Sequence, residues 1–185
     1  MLTEFARDHA FTIAWFGIMS FVWFGWGQED PPRSRRGWLG AGSAVGLIVA
    51  GIFGFAVFTR WSDRSALDGQ YIWFGVVVGL EVLLAAVGCF VLARRGQGRW
   101  MAWWVAVVVA LHFLPLAVFL RDPSLAGLGV VQAIGLAVLV GRLRRTQAPT
   151  SRPVGPWMGV TLLVFAGIST AIFLATIGSP WRGVR

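Results

Sequence analysis

Glu81 and His112 are the residues best placed to do chemistry in this chain, because each is a titratable group inside a long apolar run. Glu81 lies in the middle of the run 73–92. A carboxylate at bilayer depth is costly, and such groups mark proton relays, ion pathways and substrate sites. His112 is the basic-capable group of the next apolar run. Counted inward from the outer ends of their runs at ~1.5 Å per residue, Glu81 is about 15 Å deep and His112 about 12 Å deep. A tight turn at 94–99 joins the two runs, which puts the side chains within reach of each other. Burial and mutual attraction act on both groups together, so a Glu/His pair titrates as one unit. Proton or cation handling is the chemistry expected of it. The structural alternative is a neutral hydrogen-bonded clamp between two helices.

Other polar groups fall near the same level. They are Gln132 in the fifth apolar run, Ser169 and Thr170 in the sixth, and Ser20 in the first. These are further candidates for proton or substrate binding, although hydroxyls inside helices commonly bond to their own backbone. Pro115 cannot donate to the Leu111 carbonyl and crowds it, so a kink is expected there. The freed carbonyl would lie next to His112, and such backbone is tolerated at membrane depth only under protein or water.

The elements that carry these residues follow from composition. Hydrophobic residues make up 57% of the 185 positions and charged residues 13%, where soluble domains carry about 25% charged. Mean hydropathy is +0.71. Six apolar segments stand out, at about 10–27, 38–58, 71–92, 100–120, 125–140 and 156–177, against the ~20 residues a helix needs to cross a bilayer. The expected fold is all-α: a polytopic bundle of six transmembrane helices in a single domain. Segments one and five read as short. Short connections predict that consecutive helices pack as antiparallel neighbours, with Pro31-Pro32 and Asp122-Pro123 as stops. A cleavable leader is not expected, because the first segment lacks a basic flank and ends in Gly27-Gln28-Glu29-Asp30.

The net charge of +8 is read as membrane topology and not as nucleic-acid binding, because the charges sit in short loops between apolar runs. All sixteen basic residues are Arg, ten of them (33, 35, 36, 94, 95, 99, 142, 144, 145 and 152) in the loops after helices one, three and five. The opposite face has Arg7, Arg60, Arg64, Arg121, Arg182 and Arg185, diluted by Glu4, Asp8, Asp63, Asp68 and Asp122. The positive-inside bias places both termini outside the cytoplasm. Trp38, Trp61, Tyr71, Trp73, Trp100, Trp103, Trp157 and Trp181 fall near expected interfaces, as an aromatic belt would. Pairs of small residues at Gly42/Gly46, Gly75/Gly79 and Gly155/Gly159 would allow close helix contact. Trp15, Phe16, Phe21, Trp23, Phe24 and Trp26 crowd the first segment. They are expected to face lipid, the alternative being a stacking wall for an aromatic or cationic ligand.

Absent motifs narrow the function. Without Lys, a retinal Schiff base and a P-loop lysine are both excluded. Cys89 is the single cysteine, so no intrachain disulfide forms, and it reads as a small buried apolar residue. The sequence has no HExxH, CxxC or GxSxG. His9, the other histidine, is placed at the outer end of the first helix and outside the core, which leaves a bis-His haem unsupported. No cofactor or metal is expected, and a Glu/His pair without a nucleophile gives thin support for an enzyme.

The run Leu111-His112-Phe113-Leu114-Pro115-Leu116-Ala117-Val118-Phe119, followed by Arg121-Asp122-Pro123, resembles a pattern in small uncharacterised multi-helix bacterial membrane proteins. The preceding helix with Glu81 is similar too. The resemblance implies a helical membrane bundle and no particular activity.

The expected function is that of a small transporter or permease-like protein of a prokaryotic inner membrane, with Glu81 and His112 handling protons or substrate. Six helices are few for a complete carrier, so a homodimer is expected. One alternative is a non-transporting subunit that anchors or regulates a partner through its Arg-rich loops. Another is a membrane-embedded enzyme or lipid-binding protein using the same polar pocket. Membrane lipids are expected partners, and nucleic acid is not.

Overall fold

The computed structural model describes residues 4–29 and 31–181. Asp30, Arg182 and Arg185 of the charge pattern lie outside them. The elements in chain order are α1 (Ala6–Trp26), α2 (Arg36–Thr59), α3 (Tyr71–Arg94), α4 (Met101–Phe119), α5 (Pro123–Leu143) and α6 (Ser151–Thr176), with short 3-10 turns at Arg33–Arg35 and Gly98–Trp100. No strand occurs among the described residues. All six helices are long and apolar enough to cross a membrane, and the chain is a multi-pass membrane protein.

Segments one and five are not short. Each helix has 21 residues, which spans about 31 Å at 1.5 Å per residue. The polar start Arg7-Asp8-His9 continues α1 outward, and Gly141-Arg142-Leu143 continues α5 at its far end. Hydropathy alone undercounts such helices because their end residues are polar yet helical.

Helix ends use local backbone chemistry. After α3, Gly96 takes φ +67, with Gln97 N–H bonded to the Leu92 carbonyl and Gly96 N–H to the Ala93 carbonyl. This is a Schellman stop. The same pair of bonds closes α4, from Asp122 N–H to the Ala117 carbonyl and from Arg121 N–H to the Val118 carbonyl. There the left-handed position, φ +52, is filled by Arg121. Asp122 then caps α5 by accepting from Ser124 N–H, and Pro123 fills the first helical position. Pro115 lies within α4, which runs on as helix to Phe119.

Helix α1 is the hub, packed against α2 on one side and α6 on the other. Glycines set both crossings. A Cβ on Gly17 would lie 2.6 Å from the Gly46 carbonyl oxygen, and one on Gly155 would lie 2.6 Å from both the Trp23 carbonyl oxygen and the Gly27 nitrogen. Backbones therefore touch where α1 meets each partner. Gly75 and Gly79 differ: a Cβ on either would have nothing within 4 Å, so this expected contact motif has no partner among the described residues.

The expectation that consecutive helices are neighbours fails at α2 and α3, which do not pack side by side. Their connection folds back over the N-terminal end of α1, held by Arg7 and Asp8. Helix α3 packs mainly on α4 and has no fully buried residue. It is the outermost helix of the bundle.

The core contains much of the first helix's aromatic content. Phe16, Trp23 and Phe24 are buried, which corrects the lipid-facing expectation for them. Phe16 meets Phe113 and Phe165 edge to face at centroid distances of 5.6 and 5.4 Å. Phe21 and Trp15 stay exposed on the protein surface, as do the belt residues Trp38, Trp61, Tyr71, Trp73 and Trp181. Trp103 and Trp157 instead turn inward, their indole N–H groups bonded to the carbonyls of Leu136 and Gln132.

Side-chain bonds show which loops share an end. Ser151 donates to the Glu29 carboxylate, and Arg99 donates to the Leu143 and Thr146 carbonyls. The connections after α1, α3 and α5 therefore cluster at one end with their arginines. At the other end Arg60 donates to the Pro180 carbonyl at 3.0 Å, tying the end of α2 to the chain beyond α6.

Candidate functional site

Glu81 Oε2 lies 3.2 Å from His112 Nδ1. Helices α3 and α4 descend from the tight turn at 95–100 as antiparallel neighbours, so residues at equal depth meet. The side chains remain 21% and 11% exposed, respectively. Both line a cavity of about 550 Å³, within the roughly 300–1,000 Å³ usual for small-molecule sites. The pair therefore faces an open volume and is not sealed in a helix seam.

Four helices line the cavity, α2 through Val57 and the other three more extensively. Helix α1 contributes Asp8, Phe11, Thr12, Trp15 and Phe16, whose spacing of three, four, seven and eight marks one helical face. Helix α3 contributes Tyr71, Phe74, Val78 and Glu81, and α4 contributes His112, Leu116 and, just past its end, Leu120. The lining is mostly apolar and aromatic. Phe11 and Trp15 stack on each other with centroids 6.1 Å apart and planes 9° from parallel.

The end of the cavity beside the start of α1 is capped by the 60–70 connection. Arg7 Nη1 donates to the Trp61 carbonyl at 2.8 Å and Nη2 to the Tyr71 hydroxyl at 2.9 Å. Asp8 is buried and accepts from Ser65 Oγ at 3.0 Å and from Ala66 N–H at 2.6 Å. Trp61, Ser65 and Leu67 of the cap line the cavity with Arg7. The guanidinium and the Asp8 carboxylate are thus turned to the cap and to each other, with Arg7 Nε 3.6 Å from Asp8 Oδ1.

The remaining candidates do not line this cavity. Ser20 Oγ donates to the carbonyl of Phe16, one turn back in its own helix. Gln132 Nε2 donates to Thr161 Oγ1 at 3.0 Å across the α5–α6 contact, while its Oε1 is buried without a partner. Thr170 Oγ1 is likewise buried without a partner. Ser169 Oγ lies 2.8 Å from His9 Nε2. The four do not form one layer with the pair: Ser169 meets His9, which lies eleven residues, about 16 Å, along α1 from Ser20. His9 is corrected too: it is buried between α1 and α6, edge-on to Phe173 at 5.4 Å, and not outside the core.

Sequence reasoning missed the α1 wall and the cap. The i, i+3, i+4, i+7, i+8 face of Asp8 through Phe16 was a usable signal, since it combines a carboxylate with stacked aromatics. The return of the 60–70 connection onto Arg7 and Asp8 leaves no periodic trace. Among the described residues no three His, Cys, Asp or Glu side chains gather as metal ligands.

No family model, no curated protein and no solved structure matches the chain. The chemistry must be read from the geometry alone. One proton shared between a carboxylate and an imidazole leaves the pair neutral overall. Gain or loss of a single proton then changes the charge of a largely apolar cavity by one unit, and with it the ligand the cavity favours.

Proposed function

We propose that the protein is a small transporter of a bacterial inner membrane, with Glu81 and His112 as its proton- or substrate-handling pair. The observation that carries this reading is the 3.2 Å contact on the wall of an open cavity. A structural clamp needs no adjoining volume, whereas a pair that exchanges protons or ligand does. With the arginine-rich end placed in the cytoplasm by the positive-inside bias, both termini and the cap over the cavity lie outside.

Proteoliposomes enclosing a pH-sensitive dye test the reading when challenged with a panel of small solutes. Wild-type protein is expected to move protons in response to at least one solute. The Glu81→Gln, His112→Ala double variant is expected to lose that flux. Wild-type flux in the double variant would overturn the proposal.

A second reading is favoured by one observation. Gly75 and Gly79 of α3 face no neighbour among the described residues, and such a face suits another helix. Under this reading the protein is a membrane subunit, either paired with its own copy or bound to a different chain. Stoichiometric recovery of a different chain from native membranes, together with absence of solute-driven proton flux, would favour it over the transporter.

A further inference from the structure

The cavity has a distinct charge logic. Four titratable side chains other than Tyr71 face it: Arg7 and Asp8 from α1, Glu81 from α3 and His112 from α4. Arg7 and Asp8 balance each other in charge and direct their polar atoms to the cap. His112 is a neutral base when it carries no extra proton. That leaves the Glu81 carboxylate as the charge without a fixed cationic partner among the described residues, and His112 is its one polar contact.

The rest of the lining is largely aromatic. Phe11 and Trp15 stack in parallel, and Phe16, Trp61, Tyr71 and Phe74 complete the aromatic lining. Aromatic faces carry negative quadrupole density and attract cations, the more so where water is excluded. An anion would meet both Glu81 and these faces unfavourably. The Arg7 guanidinium does not reverse this, since it is turned toward Trp61, Tyr71 and Asp8. The volume of about 550 Å³ is too large for a bare metal ion and suits a drug-sized organic molecule.

We propose that this cavity binds amphipathic organic cations, with the charge at Glu81 and the apolar body against the Phe11–Trp15 wall. The inference rests on the reading of the cavity as a transport site and supplies the substrate class. A cation and a proton would then compete for the same carboxylate, which is the minimum requirement for exchange of one against the other.

Purified protein in nanodiscs is titrated with radiolabelled tetraphenylphosphonium, with empty nanodiscs as the blank. A separate titration uses tetraphenylborate, an anion of nearly the same shape. Saturable binding of the phosphonium is expected, with tetraphenylborate at least tenfold weaker. Glu81→Gln and Trp15→Ala are each expected to weaken phosphonium binding at least tenfold, while Glu81→Asp, which keeps the charge, retains most of it. Elution as a single monodisperse species shows that each variant is folded. Should Glu81→Gln fail this check, the Glu81→Asp and Trp15→Ala titrations decide. Absence of saturable phosphonium binding, equal or tighter binding of tetraphenylborate, or wild-type affinity in a folded Glu81→Gln or Trp15→Ala variant overturns the inference. Saturable phosphonium binding without any solute-driven proton flux removes the transport reading and leaves the cation site standing. Proton-coupled movement of another solute without phosphonium binding removes the cation class alone.

Discussion

Asp8, in the first turn of α1, accepts a hydrogen bond from Ser65 Oγ at 3.0 Å, across more than fifty residues of chain. The same carboxylate accepts from Ala66 N–H at 2.6 Å, so one buried side chain holds the middle of the 60–70 connection against the N-terminal end of α1.

Asp8→Ala leaves the Ala66 N–H and the Ser65 hydroxyl without their acceptor in a buried position. The expected cost is about 1–3 kcal/mol. Because both variants remove one shared contact, Asp8→Ala and Ser65→Ala together should cost less than their sum. Thermal unfolding in detergent gives the energies. Limited proteolysis should show cleavage within 60–70 appearing in Asp8→Ala before any loss of the helical core; equal protease resistance in variant and wild type would count against the joint.

Gly17 and Gly79 should respond in opposite ways to the same substitution. Gly17→Ala puts a methyl 2.6 Å from the Gly46 carbonyl oxygen, and overpacking of this kind costs about 1–3 kcal/mol. Gly79→Ala meets open space and gains up to about 1 kcal/mol of helix propensity. Thermal midpoints of the monodisperse protein are the readout. A destabilising Gly79→Ala would reveal an occupied α3 face, as in the subunit reading.

His9 and Ser169 join α1 to α6 through a buried 2.8 Å contact. Interhelical bonds of this type in membrane proteins contribute about 0.6 kcal/mol on average. A double-mutant cycle of His9→Phe and Ser169→Ala should give a coupling of that order by thermal unfolding. Solute-driven proton flux should persist in Ser169→Ala, because Ser169 lies outside the cavity; loss of flux in a folded Ser169→Ala variant would mean that the site extends to α6.

The arginine asymmetry predicts a labelling pattern. In a Cys89→Ser background, Asp63→Cys in the cap should react with a membrane-impermeant maleimide on intact cells. Gln97→Cys, in the arginine-rich turn between α3 and α4, should react only after permeabilisation. The reverse pattern would invert the orientation and turn the cap toward the cytoplasm.

The bundle and its central pair were largely legible in the sequence, because both follow from one-dimensional quantities. Apolar run length marks each span. Depth along neighbouring antiparallel spans puts Glu81 level with His112, and the 3.2 Å contact agrees with that count. Lateral position was not legible. Ser20 and Ser169 were counted level with the pair, yet Ser169 meets His9, eleven residues and about 16 Å along α1 from Ser20; rotation about each helix axis is set by packing too, and residue counting carries no information on it. His9 shows the same gap: one residue from Asp8, it is turned about 100° around a helix of 3.6 residues per turn and enters a different contact. The cap was hidden for another reason, since its bonds run from side chains to backbone across distant parts of the chain.

Helix α3 buries no residue fully and packs mainly on α4, which has a consequence for how the protein enters its membrane. Synthesis delivers Glu81 before the chain has produced His112. An acidic residue at the centre of a helix costs about 2.5–3.5 kcal/mol on the insertion scale, and no imidazole is yet present to offset it. Helix α3 reaches a windowed mean hydropathy of 2.6 with Glu81 included, the highest of the six spans. Its abundance of Val, Leu and Phe carries the acid into lipid unaided. A substitution that lowers this greasiness on the outward side of α3 would therefore show itself first as failed integration of that span, in residues that never touch a ligand.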